Sequence, residues 1–177
     1  MKIVILGAGA VGRTLASLLS QENDLVVVDH DSSELHRLEE EADIKTITGE
    51  VSYPNILVNA GINEADMIVA VTGSDETNIV SCLIAKVLNK SIKTIARVRE
   101  ISYLKGKTKE AMDSGEIPID VHISPEQLIT EHIQGLIEIP GSLQVMEFGQ
   151  GKLNLVAVRA VEGGPMIGHE IGDLKKH

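Results

Sequence analysis

Aromatic residues and cysteine are scarce in this sequence. Its 177 residues include no tryptophan, two tyrosines, one phenylalanine and one cysteine. Proteins that bind single-stranded nucleic acid stack the bases on aromatic side chains, so this composition argues against that function. The formal net charge of −10 argues against general binding to a phosphate backbone as well. Because Cys82 stands alone, an intrachain disulfide and a thiolate zinc cluster are excluded, and a reducing compartment is expected.

Long apolar runs are also lacking. No run approaches the roughly 20 residues that a membrane-spanning helix needs. The apolar start of the chain is interrupted by Gly7 and Gly9 and leads directly into helical periodicity, unlike a signal peptide. We therefore expect a cytoplasmic protein that is not itself inserted in a membrane.

Short apolar runs alternate with helical patterns over the first 139 residues. Runs typical of buried strands are 2–6, 24–29, 45–48, 67–71, 93–98 and 119–123. Helical patterns are 10–19, 32–42 (capped by Ser32 or Ser33), 55–60, 75–88 and 124–139, with a weaker one within 103–115. This alternation predicts an α/β fold, a Rossmann-like doubly wound parallel six-stranded sheet of strand order 3-2-1-4-5-6.

The pattern changes at Pro140 and Gly141, which end the last predicted helix. Residues 142–148 and 153–161 alternate in the manner of β-strands, but two strands cannot close a core by themselves. We therefore predict a Rossmann-like domain over residues 1–139 and the beginning of a small α+β C-terminal module, apparently truncated, over residues 140–177.

The loop after the first predicted strand carries a Gly-x-Gly-x-x-Gly pattern. It consists of Gly7, Ala8, Gly9, Ala10, Val11 and Gly12. The first glycine permits a tight turn, the second lets the backbone approach a pyrophosphate, and the third lets helix and strand pack closely. The helix that follows offers free amides and a positive dipole end to phosphate oxygens. A glycine-rich turn can also serve helix packing alone.

Asp29 ends the second predicted strand, where a carboxylate accepts hydrogen bonds from the adenosine ribose. Together with the glycine loop it predicts nucleotide binding, although an aspartate in a turn can also be a simple capping residue. A carboxylate repels a 2′-phosphate. The next residue is His30 and not an arginine that could accommodate such a phosphate. NADP is therefore disfavoured.

The loop after the fourth predicted strand is the second part of the predicted site. Its candidate residues are Thr72, Gly73, Ser74, Asp75 and Asn78. The two hydroxyls can bind phosphate or ribose, the glycine permits close approach, and the asparagine can face the ligand from the first turn of the helix. Asp75 is expected to cap that helix. All five residue types are equally common in turns and caps without any ligand.

Arg97 ends the fifth predicted strand, near the same crevice. A guanidinium there can reach phosphate oxygens, and we expect it to respond to the charge of the ligand. Without ligand it can pair with Asp75. Half of the 16 Lys and Arg residues lie between positions 86 and 109, which is also typical of a solvated basic face.

Several motifs in a fixed order resemble one family. They are the glycine loop, Asp-His-Asp at 29–31, Thr-Gly-Glu at 48–50, the segment 69–78, Thr-Ile-Ala-Arg-Val at 94–98 and Ile-Ser-Pro-Glu at 123–126. Together they are similar to the TrkA N-terminal domain, also called KTN or RCK, the cytoplasmic regulator of bacterial and archaeal potassium uptake systems. The resemblance covers residues 1 to about 138, and residues 142–177 resemble the start of the TrkA C-terminal domain.

This resemblance implies a regulatory subunit without enzymatic activity that binds NAD(H) or an adenine nucleotide such as ADP or ATP. It also implies a homodimer or higher ring and a Trk-type membrane potassium transporter as partner, at the inner face of the cell membrane. The residues that match the family's nucleotide motifs are Gly7, Gly9, Gly12, Asp29, Thr72, Asp75, Asn78 and Arg97. One departure is Gly49-Glu50-Val51-Ser52, where the family often has Gly-Asp-Ala/Gly-Thr beside the adenine.

An NAD-dependent oxidoreductase is the alternative function. It requires an acid–base pair beside a substrate pocket, normally built by a second domain, and the residues after 139 are too few for one. Tyr103 and Lys107 match a catalytic Tyr-x-x-x-Lys pair, but Gly106 between them disfavours the helix that this pair needs. Cys82 is expected to be a small buried hydrophobe, and the histidines lack the helical spacing of metal ligands.

The last predicted helix carries more apolar residues than a terminal helix needs. They are Leu128, Ile129, Ile133, Leu136 and Ile137. We expect this stripe to form part of a homodimer interface, although it can also pack on its own sheet alone.

Overall fold

Aliphatic strands form the parallel sheet, and its central strands are buried on both faces. The computed structural model describes residues 1–139, 141–148, 153–162 and 167. Its parallel strands are β1 (Lys2–Leu6), β2 (Asp24–Asp29), β3 (Lys45–Thr48), β4 (Met67–Ala70), β5 (Lys93–Arg97) and β6 (Val121–Ile123). Their order is β3-β2-β1-β4-β5-β6, with every neighbouring pair parallel, so the predicted fold class is confirmed.

Helices cover both faces of this sheet. They are α1 (Ala10–Leu19), α2 (Ser32–Glu41), α3 (Pro54–Asn59), α4 (Asp75–Leu88) and α5 (Gly106–Asp113), with 3-10 turns at Ile62–Glu64 and Ile101–Leu104. One buried cluster includes Leu57 and Cys82, and the other includes Ala16 and Leu38. Two clusters on opposite faces are what a doubly wound sheet requires.

Two helix caps differ from the sequence-based expectation. Asp31, not Ser32 or Ser33, caps α2, because its side chain accepts a hydrogen bond from Ser33 N at 2.9 Å. The hydroxyl and amide of Ser33 also hold the pKa of Asp31 below its usual value. Ser74, not Asp75, caps α4 by accepting from Thr77 N at 3.1 Å. In both cases the cap is the extended residue just before the first helical one, as N-cap geometry demands.

The strand order fixes where loops can meet. The chain leaves β1 toward β2 on one side and returns to β4 on the other, so the sheet has its switch point between β1 and β4. The register aligns Leu6 with Val28 and with Ala70, which brings the carboxyl ends of three strands to the same edge. Ligands of doubly wound sheets bind in the crevice beyond this edge.

The chain divides into two compact units, Met1–Pro125 and Glu126–His177. All but the first residue of α6 (Pro125–Glu138) belongs to the second unit, and the helix is followed by β7 (Ser142–Phe148) and β8 (Leu153–Val158), which pair antiparallel. This division falls after the first residue of α6, whereas the predicted domain boundary follows the whole helix, and the boundary of the folding domain stays a prediction. Residues 140, 149–152, 163–166 and 168–177 of the predicted module lie outside the described residues. None of the helices in the described part of the chain is long and apolar enough to cross a bilayer.

Candidate functional site

A cavity of about 520 Å³ lies beyond the carboxyl ends of the strands, at the switch point. It is formed by the loops that follow β1, β2, β3 and β4 and by the end of β5. The lining residues are Gly7, Gly9, Ala10, Val11, Asp29, His30, Glu50, Val51, Val71, Thr72, Gly73, Ser74, Thr77 and Arg97. A cavity of this size falls within the range that small-molecule and cofactor sites occupy.

The three glycines of the first loop are required for different reasons. Gly7 has a φ of +104°, and a Cβ there would lie 3.1 Å from Thr72 N, so this residue permits both the turn and close contact with the loop after β4. A Cβ on Gly12 would lie 1.8 Å from Gly7 O, which leaves room only for hydrogen. A Cβ on Gly9 would meet no atom within 4 Å. Gly9 therefore leaves space for a ligand, and Gly12 serves packing.

The N-terminus of α1 opens into the cavity. Gly9 is the N-cap residue and provides no capping side chain, and the first turn of the helix carries no acidic residue. Ala10 and Val11, the first two helical residues, line the cavity. Amides of a first helical turn lack partners within the helix, and together with the helix dipole they favour an anion. This end of the cavity is therefore suited to phosphate.

Asp29 lies beside that helix end and is held in place by backbone amides. Its Oδ2 accepts a hydrogen bond from Ala8 N at 2.6 Å, and its Oδ1 accepts one from Asp31 N at 2.9 Å. His30 Nδ1 lies 3.0 Å from Oδ1, and the Asp29 side chain is 13% exposed. A carboxylate has about four acceptor positions, so it can still accept from a ligand hydroxyl. Asp29 therefore does both things that the sequence left open: it accepts hydrogen bonds from backbone amides of the turns, and it lines the cavity.

Asn78 supports the wall of the cavity without lining it. This side chain is fully buried, and its Oδ1 accepts from Thr72 N at 3.0 Å and from Thr72 Oγ1 at 2.7 Å. Its Nδ2 donates to Arg97 O at 2.9 Å. The amide therefore joins the loop after β4 to the end of β5, and it does not face the cavity as the sequence suggested it could.

Asp75 is also turned away from the cavity. It is 6% exposed, and its Oδ2 accepts hydrogen bonds from Arg99 N at 2.8 Å and Glu100 N at 2.7 Å. Its Oδ1 lies 3.6 Å from Arg99 Nε. From the sequence, Arg97 was a possible ionic partner of this carboxylate, whereas in the structure Arg99, a residue that no motif had singled out, lies beside it.

The structure brings most of the predicted residues to one cavity. Gly12, Asp75 and Asn78 support its walls, and the other ten predicted residues line it. Sequence reasoning missed some lining residues, namely Glu50, Val51, Val71 and Thr77. For Glu50 a signal was present, since it follows the strand next to β2 and marks the departure from the family pattern.

Residues that could suggest other chemistry are placed unfavourably for it. Cys82 is fully buried, and burial raises the pKa of its thiol to about 12, so it packs as a hydrophobe. Tyr103 lies in the 3-10 turn Ile101–Leu104 and Lys107 in α5, so the two do not share a helix face. Among the described residues, no group of three His, Cys, Asp or Glu side chains is arranged to hold a metal ion.

Comparison with known proteins agrees with this architecture. Residues 3–125 match the model of the TrkA-N domain. The chain belongs to this family. It is 51% identical to the Trk system potassium uptake protein TrkA of Halomonas elongata over 178 residues and 45% identical to that of Vibrio alginolyticus over 179. These alignments cover 100% of the chain but only 38% and 39% of the two relatives, so the chain spans about two fifths of their length.

Solved structures share the TrkA-N fold at lower identity. The TrkA-N domain of the inner membrane protein YbaL of Escherichia coli superposes with a TM-score of 0.65 at 19% identity, covering 77% of this chain and 96% of that one. The GsuK channel bound to NAD gives 0.65 at 23%, covering 84% and 25% of the two chains. GsuK bound to ADP gives 0.59 at 23%, covering 77% and 33%. At these identities the likeness establishes the fold.

Proposed function

We propose that this chain is a nucleotide-binding regulatory part of a Trk-type potassium uptake system and catalyses no reaction. The observation that carries the proposal is the position of Asp29, which lines the cavity next to the open N-terminus of α1. A carboxylate beside a phosphate-binding helix end is the arrangement that recognises a ribose diol and its attached phosphates. The ligand is NAD(H) or an adenine nucleotide such as ADP or ATP.

The order of the strands suggests how the ligand lies. Asp29 follows β2, the glycine loop follows β1, Gly73 follows β4 and Arg97 ends β5, so these groups succeed one another along the crevice. With the adenosine ribose at Asp29 and the first phosphate at α1, the rest of the ligand extends toward Gly73 and Arg97. GsuK has been solved with NAD and with ADP, which supports the choice of ligand class.

The charges around the cavity favour a ligand without a 2′-phosphate. Asp29 and Glu50 put two carboxylates at the end where the adenosine would bind, and Arg97 puts a cation at the opposite end. A 2′-phosphate would lie against the carboxylates, whereas distal phosphates would approach the guanidinium. NADH should therefore bind more tightly than NADPH.

Arg97 is the residue through which ligand charge would affect the protein. Its backbone is tied to Thr72 through Asn78, so the end of β5 and the loop after β4 are mechanically connected. A ligand shifts a conformational equilibrium only if it contacts the two states differently. Nucleotides that differ in phosphate number or redox state would contact Arg97 differently and so favour different states of the regulator.

The partner follows from the family and from the surface of α6. The relatives are named Trk system potassium uptake proteins, and we propose a Trk-type membrane potassium transporter subunit as partner, at the inner face of the cell membrane.

The surface of α6 bears on self-association, because its side chains Leu128, Ile129, Ile133 and Ile137 are 51–72% exposed. An apolar stripe so exposed supports a homodimer or higher ring.

Isothermal titration calorimetry with NADH, ADP, ATP and NADPH tests the proposed function. We expect the first three to bind and NADPH to bind more weakly than NADH. Tighter binding of NADPH, or no binding of any of the four, would contradict the proposal. Incubation with NADH and candidate carbonyl compounds, followed by absorbance, should show no turnover; sustained NADH oxidation would identify an oxidoreductase instead.

A further inference from the structure

Asp75 and Arg99 contact each other through both backbone and side-chain groups next to the loop that follows β4. The Asp75 carboxylate accepts from the amides of Arg99 at 2.8 Å and Glu100 at 2.7 Å. In return, the Arg99 guanidinium donates to Gly73 O, and its Nε lies 3.6 Å from Asp75 Oδ1. We call this arrangement the Asp75–Arg99 clamp. It joins the first residue of α4, the loop before it and the segment after β5.

The clamp affects the cavity indirectly, through the loop that forms its wall. Neither of the two charged side chains of the clamp lines the cavity. Gly73 does line the cavity, is exposed, and has nothing within 4 Å of the position a Cβ would occupy. A glycine has many accessible backbone conformations, so a loop centred on it needs external contacts to hold one. Arg99 supplies such a contact at the Gly73 carbonyl.

Fixing this carbonyl also fixes the neighbouring hydrogen-bonding groups. The C=O and N–H of one peptide unit share a rigid plane, so the direction of Gly73 O determines that of Ser74 N. Ser74 N donates to Thr72 Oγ1 at 3.3 Å, and this hydroxyl in turn donates to Asn78 Oδ1 at 2.7 Å. The clamp therefore sets which groups of the loop remain available to a ligand.

We infer that the Asp75–Arg99 clamp positions the loop 72–74 to bind the part of the nucleotide beyond its first phosphate. This inference rests on the proposed function, in which adenosine binds at Asp29 and the first phosphate at α1. AMP would then make no contact that depends on the clamp, whereas ADP and NADH would reach the clamped loop. Arg99 is thus a positioning residue that sets selectivity for longer nucleotides without touching them.

The Arg99→Gln variant of the 177-residue chain tests the inference by calorimetry with AMP, ADP and NADH. The variant removes the guanidinium but keeps the hydrogen bond from the backbone N–H of residue 99 to Asp75. We expect the dissociation constants of ADP and NADH to rise about fivefold or more and that of AMP to stay within about twofold. Arg37→Gln is the matched control, since Arg37 is exposed and pairs with Glu34 on α2 at 2.8 Å, outside the cavity lining.

Two results with Arg99→Gln would overturn the inference while leaving the proposed function intact. One is unchanged affinity for all three ligands, and the other is equal weakening of all three, which would make the clamp a general stabilising contact. If the variant does not fold, judged by circular dichroism, Arg99→Lys gives the same test, because lysine keeps the charge but lacks the planar pair of donors. Failure of the unchanged chain to bind AMP, ADP and NADH would instead refute the proposed function, and the inference with it.

Discussion

At the scale of single residues, the first loop separates packing from ligand binding within one short motif. Gly7 and Gly12 are constrained by backbone atoms of the protein, whereas Gly9 borders only the cavity. The same loop is therefore sensitive to substitution in two independent ways. One affects the stability of the fold, and the other affects the ligand.

A matched pair of substitutions distinguishes these effects. Gly12→Ala would place a Cβ 1.8 Å from Gly7 O, and we expect overpacking to lower the free energy of unfolding by about 1–3 kcal/mol or more. Gly9→Ser should leave stability nearly unchanged, because serine is a favoured N-cap residue and its side chain would project into open space. It should nevertheless weaken nucleotide binding by occupying the place of the phosphate.

Urea denaturation and calorimetry with ADP measure the two quantities. A Gly12→Ala variant as stable as the unchanged chain would contradict the packing role of Gly12. Full ADP affinity in Gly9→Ser would show that phosphate does not bind at the N-terminus of α1.

Residue types and their order along the chain were enough to predict most of the cavity lining, because parallel strands present their following loops at a common edge. They were not enough to predict side-chain direction. Asp75 and Asn78 stand in the motif, but both face segments that are distant in sequence, around Arg97 and Arg99. Which way a polar side chain turns depends on these tertiary partners, and no local pattern reveals them.

At the scale of elements, the strands were predictable because their buried aliphatic runs are unambiguous. The weakly periodic stretch 103–115 was harder, and it contains the end of a 3-10 turn and α5, which begins at Gly106 with a φ of +57°. A glycine at a positive φ breaks the helical pattern and hides the boundary. The predicted helix 124–139 agrees with α6 to within one residue at each end, and Pro125 is suited to the first helical position that it occupies.

The exposed stripe of α6 leads to a prediction about assembly. Ile133 is 51% exposed, and a lysine there would place a charge in the proposed homodimer interface. We expect Ile133→Lys to shift the protein from dimer to monomer in light scattering at micromolar concentration. Gln134→Lys, which adds the same charge one residue away on the polar face, should leave the dimer intact. A monomeric unchanged chain, or an unaffected Ile133→Lys dimer, would contradict the assignment of this interface.

At the scale of the whole molecule, four loops and one strand end combine into a single crevice with a fixed sequence of chemical groups. Carboxylates lie at one end, helix amides in the middle and a guanidinium at the other. The sequence alone indicated this arrangement, since strand order converts positions along the chain into positions along the sheet edge. The volume of the cavity and the contribution of Glu50 depend on how the loops pack, and only the structure provides them.

Calorimetry on Asp29→Ala tests most directly whether this crevice binds the adenosine ribose at Asp29. NADH and ADP present the same ribose, so both should lose about 10-fold to 100-fold in affinity, as expected for a lost charge-assisted hydrogen bond. The preference for NADH over NADPH should shrink, because the repelling carboxylate is gone. Asp24→Ala, at the exposed opposite end of β2, is the control. Unchanged affinity of a folded Asp29→Ala variant for both NADH and ADP would contradict the account.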